Sequence, residues 1–231
     1  MILRHVRFPG LTSYANASAL QDRLVGITLA HKKSPSSLAA PPPTLITAQF
    51  DPVYTCGRRD VGSVTVEQQK FLREGGAEFH EALRGGQTTF HGPGQLIAYP
   101  IIDLKRHGLT PRSYVCLLEK SLIRVCKRYG VETRTTGNPG VWVNEDEKIA
   151  ALGIHLRRNV SSHGIGLNVS TDLAWFDRIV ACGLEGKRTT SLREQGVEAE
   201  VDEVAGVFVE EFATGLEGVE AVQEIGVDDL E

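Results

Sequence analysis

Two hydrophobic periods run along the chain and separate predicted strands from predicted helices. A period of two fills the first ten residues, MILRHVRFPG, and the stretch 44–50, as expected of strands. A helical period begins after Thr12 or Ser13, either of which can cap a helix. The helical period recurs in the ranges 65–73, 112–129 and 201–216. The pattern therefore predicts a strand at the start of the chain and four helices spread along it.

The helix predicted at 112–129 has the clearest apolar face. Five side chains at helical spacing line this face: Val115, Leu118, Leu122, Val125 and Tyr129. Cys116 and Cys126 lie on or beside the face, so both are predicted to be buried structural thiols.

The middle of the chain is predicted to be rich in strands. The predicted ranges are 131–135, 140–144, 148–158 and 164–170, with a charged turn at 144–147. The sequence contains no internal repeat and no second apolar core. We therefore expect one α+β domain, over residues 1–216, whose mixed β-sheet carries helices on one side.

Two segments are predicted to lie outside the packed core. Residues 31–43, HKKSPSSLAAPPP, include three consecutive prolines, which cannot continue a helix or a central strand. An exposed insertion is therefore expected there. Residues 217–231 follow the last predicted helix, are acidic, and are expected to form a solvated tail.

Charge is distributed unevenly, although the formal net charge is only −4. Residues 194–231 contain 13 acidic side chains and no Lys or Arg, so the preceding residues carry a formal charge of +9. A basic body of this kind indicates a partner that is anionic.

Several classes of protein are excluded by what the sequence lacks. No apolar stretch approaches the roughly 20 residues that cross a bilayer, and the first residues lack the apolar core of a signal peptide. The four cysteines are widely spaced and include no C-x-x-C pair, which argues against a disulfide framework and a zinc site. We expect free thiols in a reducing compartment.

The most unusual segment is RGGQTTFHGPGQ at 84–95, followed by a β-like stretch. Its four glycines allow backbone N–H groups to approach a ligand closely. The spacing fits neither the phosphate loop of nucleotide-binding proteins nor the dinucleotide-binding motif. A glycine-rich turn between two strands is the alternative, but Arg84, Gln87, His91 and Gln95 supply more polar groups than a turn requires.

The pattern R-G-G-x-x-T-F-H-G-P-G-Q-x-x-x-Y resembles the signature of the lipoyl(octanoyl) transferases. The resemblance continues, in order and approximate spacing, over about residues 2–195. The further matching blocks are GVWV at 140–143, KIAALGI at 148–154, SHGIGLNV at 162–169, DL at 172–173 and CG at 182–183. The resemblance implies a fold like that of the biotin and lipoyl protein ligases.

The same resemblance implies roles for individual residues. Cys182 corresponds to the nucleophile that carries the acyl group as a thioester, and Lys148 corresponds to the lysine that tunes it. A nearby ammonium increases the reactive thiolate fraction of a cysteine. The implied acyl-binding residues are Arg84, Gly85, Gly86, Gln87, Thr88, Thr89, Phe90, His91, Ala151, Leu152, Gly153, Gly164, Ile165 and Gly166.

Some of these residues also have ordinary interpretations. A cysteine is commonly a small buried hydrophobic residue, and a lysine that opens a strand is commonly solvated. His91 and His163 either orient the pocket or relay protons, or they are structural histidines bonded to the backbone. A backbone N–H near Leu152 or Gly153 is the candidate oxyanion donor.

The implied reaction moves an octanoyl or lipoyl group from acyl carrier protein to a lysine of a lipoyl-carrier domain, in mitochondria. Such domains occur in the acyltransferase subunits of 2-oxoacid dehydrogenases and in the H protein of glycine cleavage. No ATP is expected to take part, because conversion of a thioester to an amide is downhill. No metal, nucleic acid or membrane is expected to take part either.

Two alternatives stay open on the sequence alone. An ATP-dependent lipoate or biotin protein ligase shares the implied fold and a similar Arg-Gly-Gly loop, but needs no nucleophilic cysteine. A non-catalytic carrier-binding relative would keep the pocket without turnover, although it would not need both Lys148 and Cys182.

Overall fold

The central strand of the molecule, β6 (Gln95–Ile101), is buried on both faces. The computed structural model describes residues 1–35, 40–179 and 186–230. Successive side chains of a strand point to opposite faces, and here Leu96 and Ala98 join one apolar cluster while Ile97 and Tyr99 join another. The apolar run in the sequence therefore reflects two cores, one on each side of the sheet.

The main sheet has the strand order β10-β8-β9-β6-β2-β1-β11, and β7 pairs with β8 off this path. Its strands are β1 (Ile2–Thr12), β2 (Thr44–Phe50), β6, β7 (Val141–Trp142), β8 (Glu147–Arg157), β9 (Val160–Asn168), β10 (Arg188–Thr189) and β11 (Ala221–Ile225). Parallel pairs join β1 to β2, β1 to β11 and β8 to β10, whereas β2, β6, β9 and β8 pair in antiparallel fashion. The mixed sheet predicted from the sequence is confirmed.

A second, smaller sheet has the order β4-β3-β5. Its strands are β3 (Val53–Cys56), β4 (Glu78–Glu81) and β5 (Thr89–His91). Tyr54 and Phe90 form its apolar centre, with ring centroids 5.3 Å apart. β5 ends at His91 and the chain enters β6 at Gln95, so the glycine-rich segment joins the two sheets.

Helices cover both faces of the main sheet. The helices are α1 (Tyr14–Lys33), α2 (Val66–Arg73), α3 (Pro111–Arg128) and α4 (Val201–Gly215). α3 and α4 pack on one face, where Leu118, Leu122, Phe208 and Phe212 are fully buried. α1 packs on the opposite face through Tyr14, Ala17 and Leu20. The prediction of helices on one side only is wrong, because the central strands are apolar on both faces and each face needs a cover.

The predicted helices begin and end close to the expected residues. Ser13 caps α1 by accepting a hydrogen bond from the Asn16 N–H, and Thr65 and Thr110 form capping boxes at α2 and α3. Cys126 is buried as predicted, but Cys116 is exposed because its position lies on the outer side of α3. The range 131–135 is not a strand and contributes only the isolated bridge between Arg134 and Trp142.

The segment predicted to be a solvated tail continues the fold instead. β11 pairs in parallel with β1, and a 3-10 helix follows at Val227–Asp229. Leu230 is buried, and its carbonyl accepts a hydrogen bond of 2.8 Å from Arg23 on α1. The acidic character is explained by exposure of this edge strand, whose backbone nevertheless completes the sheet. At the predicted insertion 31–43, α1 runs on to Lys33 before the chain leaves the helix.

No helix in the described ranges is long and apolar enough to span a membrane.

Candidate active site

Arg84 anchors the glycine-rich segment from within the protein. Its Nε and Nη2 donate to the Thr55 hydroxyl at 3.1 and 2.9 Å, and Nη2 also donates to the Thr55 carbonyl. Nη1 donates to the carbonyls of Gly85 and Gln87 at 2.9 and 2.8 Å. The side chain is only 7% exposed. Arg84 therefore shapes the binding loop by holding its backbone to β3.

The glycines of this region lie where backbones and side chains approach one another closely. A Cβ at Gly164 would lie 2.1 Å from the Ala98 carbonyl oxygen. A Cβ at Gly153 would lie 3.0 Å from Cδ of Arg84, and the Gly85 N–H donates to the Ile154 carbonyl at 3.0 Å. Small residues on β8 and β9 thus allow the Arg84 loop to lie across the sheet.

A narrow cleft lies between that loop and the sheet, and we call it the glycine cleft. Its lining residues are Arg84, Gly85, Gly86, Thr89, His91, Tyr99, Ala151, Leu152, Gly153, Gly164, Ile165 and Gly166. All of these except Tyr99 are among the acyl-binding residues that the family resemblance implies.

A second narrow space, the lysine pocket, adjoins the glycine cleft. Thr89, His91, Ala151 and Gly166 line both spaces. The remaining lining residues of the lysine pocket are Phe90, Gln95, Lys148, Asn168, Phe176 and Thr189. The structure therefore places a cleft lined by small residues next to a pocket that Lys148 lines.

Lys148 is placed by its strand neighbours. It pairs with Trp142 on β7 and with Thr189 on β10, and its Nζ lies 4.7 Å from the centre of the Trp142 ring. Gly140 makes room for the aliphatic stem, since a Cβ there would lie 3.1 Å from Cε of Lys148. The side chain is half-buried. Lys148 is thus held against an aromatic face at the pocket wall, in contrast to a solvated surface lysine.

Cys182, the implied nucleophile, lies outside the described residues. The described residues on either side of it approach the lysine pocket, because Phe176 and Thr189 both line that space. Phe176 belongs to a 3-10 helix, Leu173–Arg178, in which Trp175 stacks on Phe90 with centroids 5.0 Å apart. The role of Cys182 stays a prediction.

A chain of buried side-chain amides fixes His91. His91 Nδ1 lies 2.7 Å from Gln95 Oε1, Gln95 Nε2 donates to Asn168 Oδ1 at 2.8 Å, and Asn168 Nδ2 donates to the Thr190 carbonyl at 2.9 Å. Burial and the charge of Arg84 lower the pKa of His91 to about 4. The imidazole is therefore neutral at physiological pH.

His163 is buried behind the cleft. Its backbone N–H donates to Gln21 Oε1 at 2.5 Å, its ring contacts Tyr99 at 5.5 Å, and its Nδ1 has no hydrogen-bond partner among the described residues. Burial, followed by the charge of Arg84, lowers its pKa to about 3. His163 does not line either space, so it supports Tyr99 and the backbone of β9.

Two of the implied acyl-binding residues lie outside both spaces. Gln87 and Thr88 line a separate groove together with Asp60 and Phe71. The N–H and hydroxyl of Thr88 both donate to Asp60, at 2.7 and 2.9 Å, which ties the loop to the turn that follows β3. Their position reflects the reversal of the chain after Gly86, which has a φ of 85°.

The sequence prediction missed lining residues that lie far apart along the chain, such as Tyr99, Asn168, Phe176 and Thr189. Tyr99 and Asn168 stand in the recognised motif blocks, which was the available signal. Phe176 and Thr189 carry no sequence signal, because only the packing of the 3-10 helix and β10 brings them to the pocket.

Exposed positive charge lies next to the Arg84 loop and at the end of β8. Arg58 and Arg59 are exposed, and their N–H groups donate to the carbonyls of Arg84 and Gly86. Arg157 and Arg158 are exposed at the end of β8. We call these four residues the rim arginines. Burial, followed by the charges of Arg58 and Arg157, lowers the pKa of His155, which places both arginines close to that side chain.

The described residues contain no group of three or more His, Cys, Asp or Glu side chains arranged to hold a metal ion.

The fold is that of the α+β domains found in lipoate protein ligases. Two solved structures have this fold at low sequence identity. A bipartite lipoate protein ligase from Thermoplasma acidophilum superposes with a TM-score of 0.67 at 15% identity, covering 99% of this chain and 87% of its own. Lipoate-protein ligase A bound with ATP superposes with a TM-score of 0.68 at 14% identity, covering 96% of this chain and 90% of its own.

The chain belongs to the family described as the lipoyl protein ligase A/B catalytic domain, which matches residues 13–213. A Schizosaccharomyces pombe protein named "Probable octanoyltransferase" is 53% identical over 201 residues, covering 86% of this chain and 89% of that protein. The Homo sapiens mitochondrial protein named octanoyl-acyl-carrier-protein:protein N-octanoyltransferase LIPT2 is 41% identical over 212 residues. The match covers 88% of this chain and 89% of that protein. The family resemblance and the fold class predicted from the sequence are confirmed.

Proposed function

We infer that this chain is a mitochondrial acyltransferase of lipoate biosynthesis, which moves an octanoyl group from acyl carrier protein to a protein. The inference rests on the identity of 41–53% to proteins named octanoyltransferase over more than four-fifths of the chain. The carrying structural observation is Lys148, which lines a pocket that shares four lining residues with the glycine cleft. The ATP-dependent ligase is less well supported, because the ligase structures match at only 14–15% identity.

We propose that the glycine cleft holds the octanoyl chain. Ala151, Leu152, Gly153 and Ile165 offer apolar or backbone surface along it. An octanoyl chain has about seven carbons to bury, which contributes on the order of 5 kcal/mol at ~0.8 kcal/mol per methylene. The length of the cleft would then select the length of the acyl chain.

The proposed chemistry has two half-reactions. In the first, the Cys182 thiolate bonds to the thioester carbonyl carbon, the carbon–sulfur bond to the carrier breaks, and the departing sulfur takes a proton from the Lys148 ammonium. In the second, the acceptor amine bonds to the acyl carbon and Cys182 leaves as thiolate. The proton lost by the amine returns to the neutral Lys148. The cycle restores the starting ammonium and thiolate and needs neither ATP nor a metal.

The rim arginines are the proposed docking surface for the donor and acceptor proteins. None of the four forms an ion pair with a residue in the described part of the chain, whereas Lys187 and Arg188 are paired with Asp146 and Glu147. Unpaired charge around a cleft steers an oppositely charged partner. Acyl carrier proteins and lipoyl domains are the proposed partners, including the acceptor domains of 2-oxoacid dehydrogenases and the glycine-cleavage H protein.

Intact-mass spectrometry after mixing with octanoyl-acyl carrier protein tests the proposed chemistry. Wild-type protein should gain one octanoyl group without ATP, and Cys182→Ser should gain none. Lys148→Arg should lose transfer to a lipoyl domain while keeping the fold, and Cys116→Ser, at an exposed thiol on α3, should behave as wild type. An adduct that persists in Cys182→Ser, or transfer that requires ATP, would contradict the proposal.

A further inference from the structure

The orientations of the two buried amides beside His91 are determined by backbone carbonyls. Gln95 Nε2 lies 3.5 Å from the Phe90 carbonyl as well as 2.8 Å from Asn168 Oδ1. Asn168 Nδ2 faces the Thr190 carbonyl at 2.9 Å. A carbonyl can only accept a hydrogen bond, so each amide must turn its NH₂ group toward the carbonyl. Oε1 of Gln95 is therefore the atom that faces His91.

This orientation determines which ring nitrogen of His91 carries the proton. Gln95 Oε1 can only accept, so Nδ1 of His91, 2.7 Å away, must be the donor. The imidazole is neutral, because burial and Arg84 hold its pKa at about 4. Nε2 is consequently left with a lone pair, on a side chain that lines both the glycine cleft and the lysine pocket.

The surrounding residues are arranged around this chain of hydrogen bonds. Gly166 borders Gln95, and a Cβ there would lie 3.2 Å from Oε1. The far end of the chain reaches Thr190, whose N–H donates to the Lys148 carbonyl at 2.9 Å. His91, Gln95 and Asn168 are each at most 7% exposed. The amides thus connect the fixed imidazole to the strand that carries the lysine.

We propose that Gln95 and Asn168 are positioning residues that present Nε2 of His91 as a fixed hydrogen-bond acceptor for the attacking lysine amine of the acceptor protein. The proposal rests on the octanoyl transfer inferred above. One amine proton passes to neutral Lys148 as the nitrogen–carbon bond forms and the carbon–sulfur bond to Cys182 breaks. The second N–H donates to His91 Nε2 and stays on the amide nitrogen of the product. His91 orients the amine and takes no proton.

The tautomer is measurable without any assay of activity. In protein labelled with ¹⁵N at histidine, two-bond ¹H–¹⁵N correlation spectra report which ring nitrogen is protonated. The spectrum of His91→Asn identifies the His91 signals by their disappearance. At neutral pH we expect a protonated Nδ1 and a bare Nε2. A protonated Nε2, or an imidazolium, would overturn the proposal.

The separate half-reactions test the functional part. His91→Asn keeps a donor near the Nδ1 position and removes the acceptor at Nε2. We expect this variant to form the octanoyl adduct at the normal rate. We expect kcat for transfer to a lipoyl domain to fall at least ten-fold. An unchanged transfer rate, or equal losses in both half-reactions, would refute the role. If wild-type protein formed no adduct at all, the proposed octanoyl transfer would be refuted, whereas the measured tautomer of His91 would be unaffected.

Gln95→Met tests positioning, because at similar volume it removes the hydrogen bonds of the amide to His91, Asn168 and the Phe90 carbonyl. We expect a mixture of His91 tautomers together with slower transfer. Gln223→Met, on the exposed strand β11, is the matched control and should change neither. A variant that kept the Nδ1–H tautomer and still slowed transfer would exclude Gln95 as the positioning residue.

Discussion

The ammonium of Lys148 lies 4.7 Å from the centre of the Trp142 ring, and the indole itself is fully buried. The two residues face each other across neighbouring strands, β7 and β8. The indole Nε1 donates to the Asn138 carbonyl at 3.2 Å, which fixes the ring in its plane. Trp142 therefore acts as the platform on which the lysine ammonium rests.

We expect Trp142→Leu to slow octanoyl transfer by about ten-fold, because a cation over an indole face is stabilised by about 0.5–2 kcal/mol. Trp142→Phe retains an aromatic face and should recover most of the rate. Single-turnover transfer measures the effect. Urea unfolding of both variants separates lost stability from lost placement of Lys148, and equal rates in the two variants would contradict the platform role.

The rim arginines should control the encounter with the donor protein, because the basic body of the chain indicates an anionic partner. We expect Arg58→Glu and Arg157→Glu each to raise KM for octanoyl-acyl carrier protein several-fold at low salt, with kcat little changed, since steering by surface charge is screened by ions. Lys105→Glu, at an exposed position in the 3-10 helix after β6, is the control with the same change in charge. An equal rise in KM for Lys105→Glu and for the rim arginine variants would argue against a localised docking surface.

Gly164→Ala should destabilise the protein by about 3 kcal/mol or more, because its Cβ would lie 2.1 Å from the Ala98 carbonyl oxygen in the central strand. Gly206→Ala is the opposite case. Gly206 lies within α4, and no atom lies within 4 Å of the place that an added methyl group would occupy. Alanine there should stabilise the helix by about 0.5–1 kcal/mol. Urea unfolding measures whether each variant lowers or raises the free energy of unfolding.

Acid should destabilise the fold partly through His163. An unfolded histidine binds a proton below about pH 6.5, whereas folded His163 stays neutral down to about 3, so protons favour the unfolded state in that window. The free energy of unfolding is therefore unaffected by this group above pH 6.5 and is lower by about 2 kcal/mol at pH 5. His163→Asn tolerates the positive φ of 54° and should flatten the loss of stability between pH 6.5 and 5. If stability depended on pH in the same way in His163→Asn and wild type, the attribution of this acid effect to His163 would be contradicted.

Removal of residues 218–231 should lower stability, because it takes away β11, exposes the edge of β1 and uncovers Arg23. We expect a lower urea midpoint and a greater tendency to aggregate. Val222→Thr, at a side chain that is 41% exposed, keeps the backbone pairing and serves as control. An unchanged midpoint after truncation would indicate that the edge strand adds nothing to the sheet.

The predictions from sequence that succeeded concern local order. Ser13 caps its helix as expected, because a cap depends on a few neighbouring atoms. The helices predicted at 65–73 and 112–129 also begin within two residues of the expected positions. The motif blocks also identified nearly all of the lining of the glycine cleft. Cys116 was predicted wrongly because its position lies on the outer side of α3. The second helical layer was missed because the sequence period does not state how many faces of a sheet will be covered.

The family, most of the strands and helices, and the glycines that a closely packed binding loop requires all follow from the order of the amino acids. Packing in three dimensions was needed to show that Arg84 holds backbone carbonyls, that Trp142 supports Lys148, and that two amides set the tautomer of His91. It also showed that the acidic end joins the sheet. Each of these depends on contacts between residues distant in the chain, whose geometry is created by packing and is not encoded in any local pattern.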